Sequence, residues 1–152
     1  MPNILRVYEA ENKDMTLRYL ANNPPINLKL RKNEARTMAE VATFLLSFKT
    51  LDAKSDEDTV AAFVLQSDSS ETRAKCISIK GIGAVLYEYL RLLSGADTIK
   101  IDVRVKESLE SLGLPVWLFS EEGLFQICKM LARDSNCSLA ELDQALWIRS
   151  EL

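Results

Sequence analysis

Residues 77–86 read Ile77-Ser78-Ile79-Lys80-Gly81-Ile82-Gly83-Ala84-Val85-Leu86. This stretch joins one helical pattern to another. Upstream, Ser70 reads as the cap of a helix that runs through Ala74 towards Ile77. Downstream, residues 84–93 place Leu86, Tyr89, Leu90 and Leu93 on one face, the spacing of an amphipathic helix. The Gly-Ile-Gly connection supplies backbone freedom: glycine adopts positive φ at little cost and lets another backbone approach. Ile82 between the glycines is placed to plug the core. The first amides of the helix that follows point outward at its positive end, which suits one phosphate.

Working outward, helix signals dominate. Residues 14–22 predict a short helix with Asp14 as cap and Leu17, Tyr19 and Leu20 apolar, stopped by Pro24-Pro25. Ile26, Leu28 and Leu30 alternate, which predicts a short extended stretch. Residues 33–49 carry Met38, Val41, Ala42, Leu45, Leu46 and Phe48 at helical spacing. Ser55-Asp56-Glu57-Asp58 opens another helix, a serine cap with acids against the macrodipole. Residues 103–112 form a helix behind Asp102 and end at Leu112-Gly113-Leu114-Pro115, glycine for the left-handed residue and proline beyond it. Ser120 opens the next helix, and Ser138-Leu139-Ala140-Glu141 is a capping box for the last. Trp147, in register with Leu142 and Leu146, reads as core. So does Trp117, set in the apolar run 114–119. Tyr87 and Tyr89 lie on opposite sides of their helix. The sequence thus predicts an all-α chain of seven or eight helices, one domain over residues 1–152 with the hairpin inside 70–94.

Composition narrows the chemistry. At 152 residues and 47% hydrophobic, the chain can bury a sizeable core. It has no histidine, which removes the common general base, the usual zinc ligands and the histidine-dependent nucleophile systems. Three cysteines, Cys76, Cys128 and Cys137, show no CxxC spacing; they fit a reducing compartment and read as small buried apolar residues. No apolar run approaches the roughly 18 residues of a membrane span, and the start carries no export signal, so a cytoplasmic chain is expected. Net charge is −3, yet residues 71–106 hold seven basic and four acidic side chains and carry +3, leaving −6 on the remainder. A local basic face on an acidic body suits a few phosphate contacts.

The order helix, Ile79-Lys80-Gly81-Ile82-Gly83, helix, then Ile99-Lys100-Ile101-Asp102-Val103-Arg104-Val105 resembles the helix-hairpin-helix and aspartate signature of the DNA glycosylase superfamily. The resemblance covers about residues 70–147, and the late helix Leu142-Asp143-Gln144-Ala145-Leu146-Trp147 also looks like one found among its members. It implies a compact glycosylase-like helical fold and DNA as partner. The backbone would be bound through Lys80, Gly81, Ile82, Gly83 and Ala84, with Lys100 and Arg104 nearby and a monovalent cation on the hairpin carbonyls. It implies that Asp102 assists loss of a damaged base by stabilising an oxocarbenium-like sugar, in a repair-related, monofunctional glycosylase without a further cofactor. The departures point the other way. Val85 stands where strand-cleaving members carry a lysine nucleophile, Lys80 replaces the proline before the first glycine, and four cluster-binding cysteines are absent. The part before the hairpin is also short. Val85 implies no strand-cleaving lyase chemistry, and the acidic balance, the short part before the hairpin and the absent lysine favour the alternative, a non-catalytic relative serving as a nucleic-acid-binding or protein-interaction module.

Overall fold

The computed structural model describes residues 16–22 and 31–151. Asp14, the proline stop and the alternating stretch at 26–30 lie outside the described residues. Those described are all-α, with eight α-helices, one short 3-10 helix and no strand. No helix among them is long and apolar enough to cross a membrane. The chain divides into two compact units, Met1–Ile82 and Gly83–Leu152, with the boundary inside the hairpin stretch.

The first unit contains α1 (Thr16–Asn22), α2 (Lys32–Leu46), α3 (Asp56–Gln66) and α4 (Ser70–Ile77). Ala35, Ala39 and Ala42 recur along α2 and are buried with Leu17 and Leu20 of α1; their small side chains let the two helices pack closely. Further along, Phe44, Phe48 and Phe63 meet edge to face with ring centroids 5.2 to 5.6 Å apart, the preferred geometry for aromatic pairs. Ser55 caps α3 reciprocally with Asp58, whose Oδ2 accepts the Lys54 and Ser55 amides at 2.8 and 3.2 Å. Asp56 accepts the Leu17 amide at 3.0 Å and so ties α1 to the start of α3. At α4 the cap is Ser69 and not the expected Ser70. Both serines are competent, but Ser69 bonds both the amide and the hydroxyl of Thr72, at 3.1 and 2.8 Å.

The second unit contains α5 (Ala84–Leu93), α6 (Val103–Ser111), the 3-10 helix Val116–Leu118, α7 (Glu121–Asp134) and α8 (Leu139–Ser150). Its core joins Ile99, Ile101, Val105, Leu109, Val116, Leu124, Cys128, Ala132, Leu139, Leu142 and Leu146. α8 packs against α6 and α7, and the 3-10 helix rests on α6. The glycine stop at α6 is a Schellman end: the Gly113 amide reaches the Glu110 carbonyl at 2.9 Å and the Leu114 amide reaches Leu109 at 3.0 Å. Gly113 holds the φ of +93° that this motif demands. Ser120 and Ser138 cap α7 and α8 as their sequence predicts. Burial pushes the Cys76 and Cys128 thiols up to about 11, consistent with inert packing residues.

Two expectations about burial fail. In α5, Leu86, Tyr89 and Leu93 are exposed, whereas Tyr87 and Arg91 are buried. The inward face is made affordable by a polar network. Glu88 Oε2 lies 2.8 Å from Arg91 Nη1 and accepts the Thr98 hydroxyl at 2.7 Å. A buried guanidinium is tolerable when it is paired and hydrogen-bonded. Trp117 also points out to solvent, because Val116 takes the inward position of the 3-10 helix.

Candidate nucleic-acid interface

At the end of the first unit, Lys80 is exposed while Ile79 before it is buried. The Ile82 amide bonds the Ile79 carbonyl at 3.0 Å, closing a turn. The Thr37 hydroxyl of α2 donates to the Lys80 carbonyl at 2.8 Å. Two of the hairpin carbonyls are therefore already accepting protein donors. Gly81 sits at φ +96°, and a Cβ there would come within 3.1 Å of Thr37 Oγ1. This position needs glycine twice over, for its backbone and for Thr37. Ile82 is only half-buried.

The second unit opens at Gly83, with φ −103° and ψ −177°. That is ordinary extended backbone, so of the two hairpin glycines only Gly81 uses a positive φ. Gly83 is the N-cap of α5; it makes no side-chain cap bond, and nothing lies within 4 Å of where its Cβ would be. Helices α3, α4, α6, α7 and α8 all begin under a serine or aspartate that accepts an amide. The first-turn amides of α5, on Ala84, Val85 and Leu86, begin without a side-chain acceptor from the N-cap residue. They are donors that a helix start leaves unpaired until a ligand or water takes them.

Asp102 caps α6, its Oδ1 accepting the Val105 amide at 3.0 Å. Its Oδ2 lies 2.9 Å from Lys100 Nζ. Partial burial works against the charge, but the Val105 amide and the Lys100 ammonium outweigh it and hold the Asp102 carboxyl below its usual range. Both carboxylate oxygens thus have a protein partner. Lys100 also lies over the rings of Tyr89 and Trp147, 4.7 and 5.5 Å from their centroids. Arg104 covers Trp147 at 4.1 Å and pairs with Glu151 at 3.2 Å. The fold therefore gathers Lys100 and Arg104 over Trp147, which the sequence had placed simply in the core, with Asp102 paired to Lys100. The indole Nε1 is shielded from solvent and has no hydrogen-bond partner among the described residues. Lys106 pairs with Glu121 at 3.4 Å. No group of three or more cysteine, aspartate or glutamate side chains that could hold a metal ion occurs among the described residues.

Comparison with protein-family models, with curated proteins and with solved structures gives no match. The hairpin reading therefore stands on these residues and their geometry.

Sequence reasoning missed Asp143. It is buried on α8, and its Oδ1 accepts the Lys100 amide at 3.0 Å, fixing the segment that delivers Lys100 and Asp102. The signal was legible, since Asp143 stands four residues after Leu139 and three before Leu146, on the apolar face. Thr37 left no comparable trace, because its partner is 43 residues away. Burial raises the Asp143 carboxyl above its ordinary value, with the Lys100 amide and ammonium partly opposing the rise. A carboxyl raised in the folded state stabilises most below its unfolded pKa, and that contribution is lost as pH rises through the folded value. Asp143→Asn keeps the acceptor and removes the charge. Thermal melts should find it at least as stable as wild type at neutral pH, with the difference shrinking on acidification. Asp143→Ala strands the Lys100 amide and should cost about 1–3 kcal/mol.

Proposed function

We propose that the protein binds the DNA backbone through its hairpin, as a repair-related module that docks a phosphate on the α5 amides. The observation that carries this reading is the start of α5 at Gly83, uncapped and open, where the other well-formed helices of this unit begin under a side-chain oxygen. Lys80, three residues earlier in the chain, is exposed and supplies a cation. Lys100 and Arg104 take a lesser part, since each already has a carboxylate partner.

The test is a titration of a short duplex by anisotropy at low salt. Because few phosphates are touched, binding should be weak and sequence-independent, with a log-log salt slope of about −2 to −4 at roughly −0.9 per phosphate. Lys80→Glu reverses one exposed charge, demands nothing of the backbone, and should weaken binding several-fold while the melting temperature holds. Gly83→Ala keeps an allowed φ and should preserve the fold, at the cost of about 1 kcal/mol or less for a poorer cap. If wild type binds no better than an acidic control protein, or Lys80→Glu binds equally well, the hairpin is only a helix connection.

A glycosylase reading is favoured by one observation, an Asp102 carboxyl held below its usual range and paired with Lys100, the residue that lies over the Tyr89 and Trp147 rings. Asparagine caps a helix about as well as aspartate, so Asp102→Asn separates the roles. In a screen of deaminated, alkylated and oxidised duplexes, a catalytic Asp102 predicts base release by wild type and none by the variant. Release of no base from any duplex leaves Asp102 as the cap that positions Lys100.

A further inference from the structure

Residues 107–122 carry Glu107, Glu110, Glu121 and Glu122 and no basic side chain. All four carboxylates are on exposed residues. Between them the surface presents Leu112, Trp117, Leu118 and Phe119, which are 57%, 75%, 70% and 41% exposed. Three consecutive large apolar residues in water are unusual, and exposed apolar clusters of this kind mark interaction surfaces.

The segment is held, so the exposure is built into the fold. Val116 anchors it from beneath. The Leu118 amide bonds the Pro115 carbonyl at 3.0 Å, and the Phe119 amide bonds Val116 at 3.1 Å. The Phe119 side chain lies over Gly123, where a Cβ would come within 3.6 Å of it. The Lys106–Glu121 pair, 3.4 Å apart, draws the first turn of α7 towards α6. Glu110 lies one helical turn beyond Lys106 on the same face of α6. Acids from two helices thus flank one apolar platform.

We infer that this platform docks a basic amphipathic segment of a partner protein. The segment's apolar side chains cover Trp117 and Leu118, and its lysines or arginines meet Glu110, Glu121 and Glu122. Charge complementarity selects this occupant. Residues 83–152 hold seven basic and eleven acidic side chains. Two copies of this face would bring like charges together, because residues 107–122 carry four acids and no basic side chain, and an anionic lipid surface would be repelled by the same acids. Tryptophan in such a setting is a frequent anchor of binding energy.

The probe is a labelled amphipathic peptide of leucine and lysine, titrated into the full chain beside a leucine–glutamate counterpart. The lysine peptide should bind in a salt-sensitive manner and the glutamate peptide should not. Trp117→Ala should weaken binding by about tenfold or more. Glu110→Gln with Glu121→Gln should weaken it and flatten its salt dependence. Because Trp117 is exposed, Trp117→Ala should keep the wild-type melting temperature, and the glutamine pair should lose no more than the small contribution of the surface Lys106–Glu121 pair. In a Trp147→Phe background, Trp117 emission should shift to the blue as peptide binds. Binding that ignores both variants overturns the proposal. So does a Trp117 shift on lipid vesicles alone, or self-association in sedimentation that Trp117→Ala abolishes.

Discussion

Phe63→Ala should destabilise the chain by about 3–5 kcal/mol, the usual range for truncating a buried aromatic. Phe63 is fully buried and meets Phe44 and Phe48 edge to face, at 5.6 and 5.3 Å. Truncation removes its own burial and two aromatic contacts, each worth about 0.5–1.5 kcal/mol beyond area. It also leaves a cavity among α2 and α3 side chains that cannot all collapse into it. In thermal melts the midpoint should fall by roughly 10 °C, at about 2–4 °C per kcal/mol for a chain of this size. Phe63→Leu retains most of the apolar volume and should lose clearly less. A loss below about 1 kcal/mol for Phe63→Ala would mean that the phenylalanine cluster is not the organising core of the first unit.

Glu88→Ala should cost about 3 kcal/mol, because it removes one carboxylate partner of a buried guanidinium and the acceptor of the Thr98 hydroxyl. The side chains of Arg91 and Glu88 are 8% and 17% exposed, and Glu88 Oε2 serves both Arg91 and the Thr98 hydroxyl. Glu88→Gln retains an acceptor and should cost less than half as much. The paired change Glu88→Leu with Arg91→Met replaces the ion pair by apolar volume and should recover most of the stability lost in Glu88→Ala. Urea denaturation of the three variants checks this order. If Glu88→Ala and the paired change are equally damaging, the apolar replacement does not fit the site, and α5 is turned inward by packing specific to these side chains.

The same network explains why α5 was misread. Its sequence offers two faces, one with Leu86, Tyr89, Leu90 and Leu93 and one with Tyr87 and Arg91. Hydrophobic periodicity selects the first. The face that is buried is the one whose Glu88 also accepts the Thr98 hydroxyl, ten residues away, and a pattern confined to one helix does not contain that partner. Trp117 was misread for a related reason. Its run is apolar throughout, so composition could not say that Val116 would take the inward place and leave Trp117 outside.

What the sequence determined by itself was the punctuation. Ser55, Asp102, Ser120 and Ser138 cap their helices where a reader of the chain would place them, and Gly113 ends α6. Caps and stops are legible because the groups they satisfy lie within about four residues, so the interaction is written in adjacent letters. Gly81 and Gly83 looked alike in sequence. Only the tertiary structure separated them, giving one a positive φ against Thr37 and the other an open, extended helix start. Several contacts that position Lys80, Lys100 and Arg104 are likewise nonlocal: Thr37 at the Lys80 carbonyl, Asp143 at the Lys100 amide, and Trp147 and Glu151 at Arg104. Each contact joins residues about 40 or more apart, and so depends on how whole helices pack, which no short window of sequence contains.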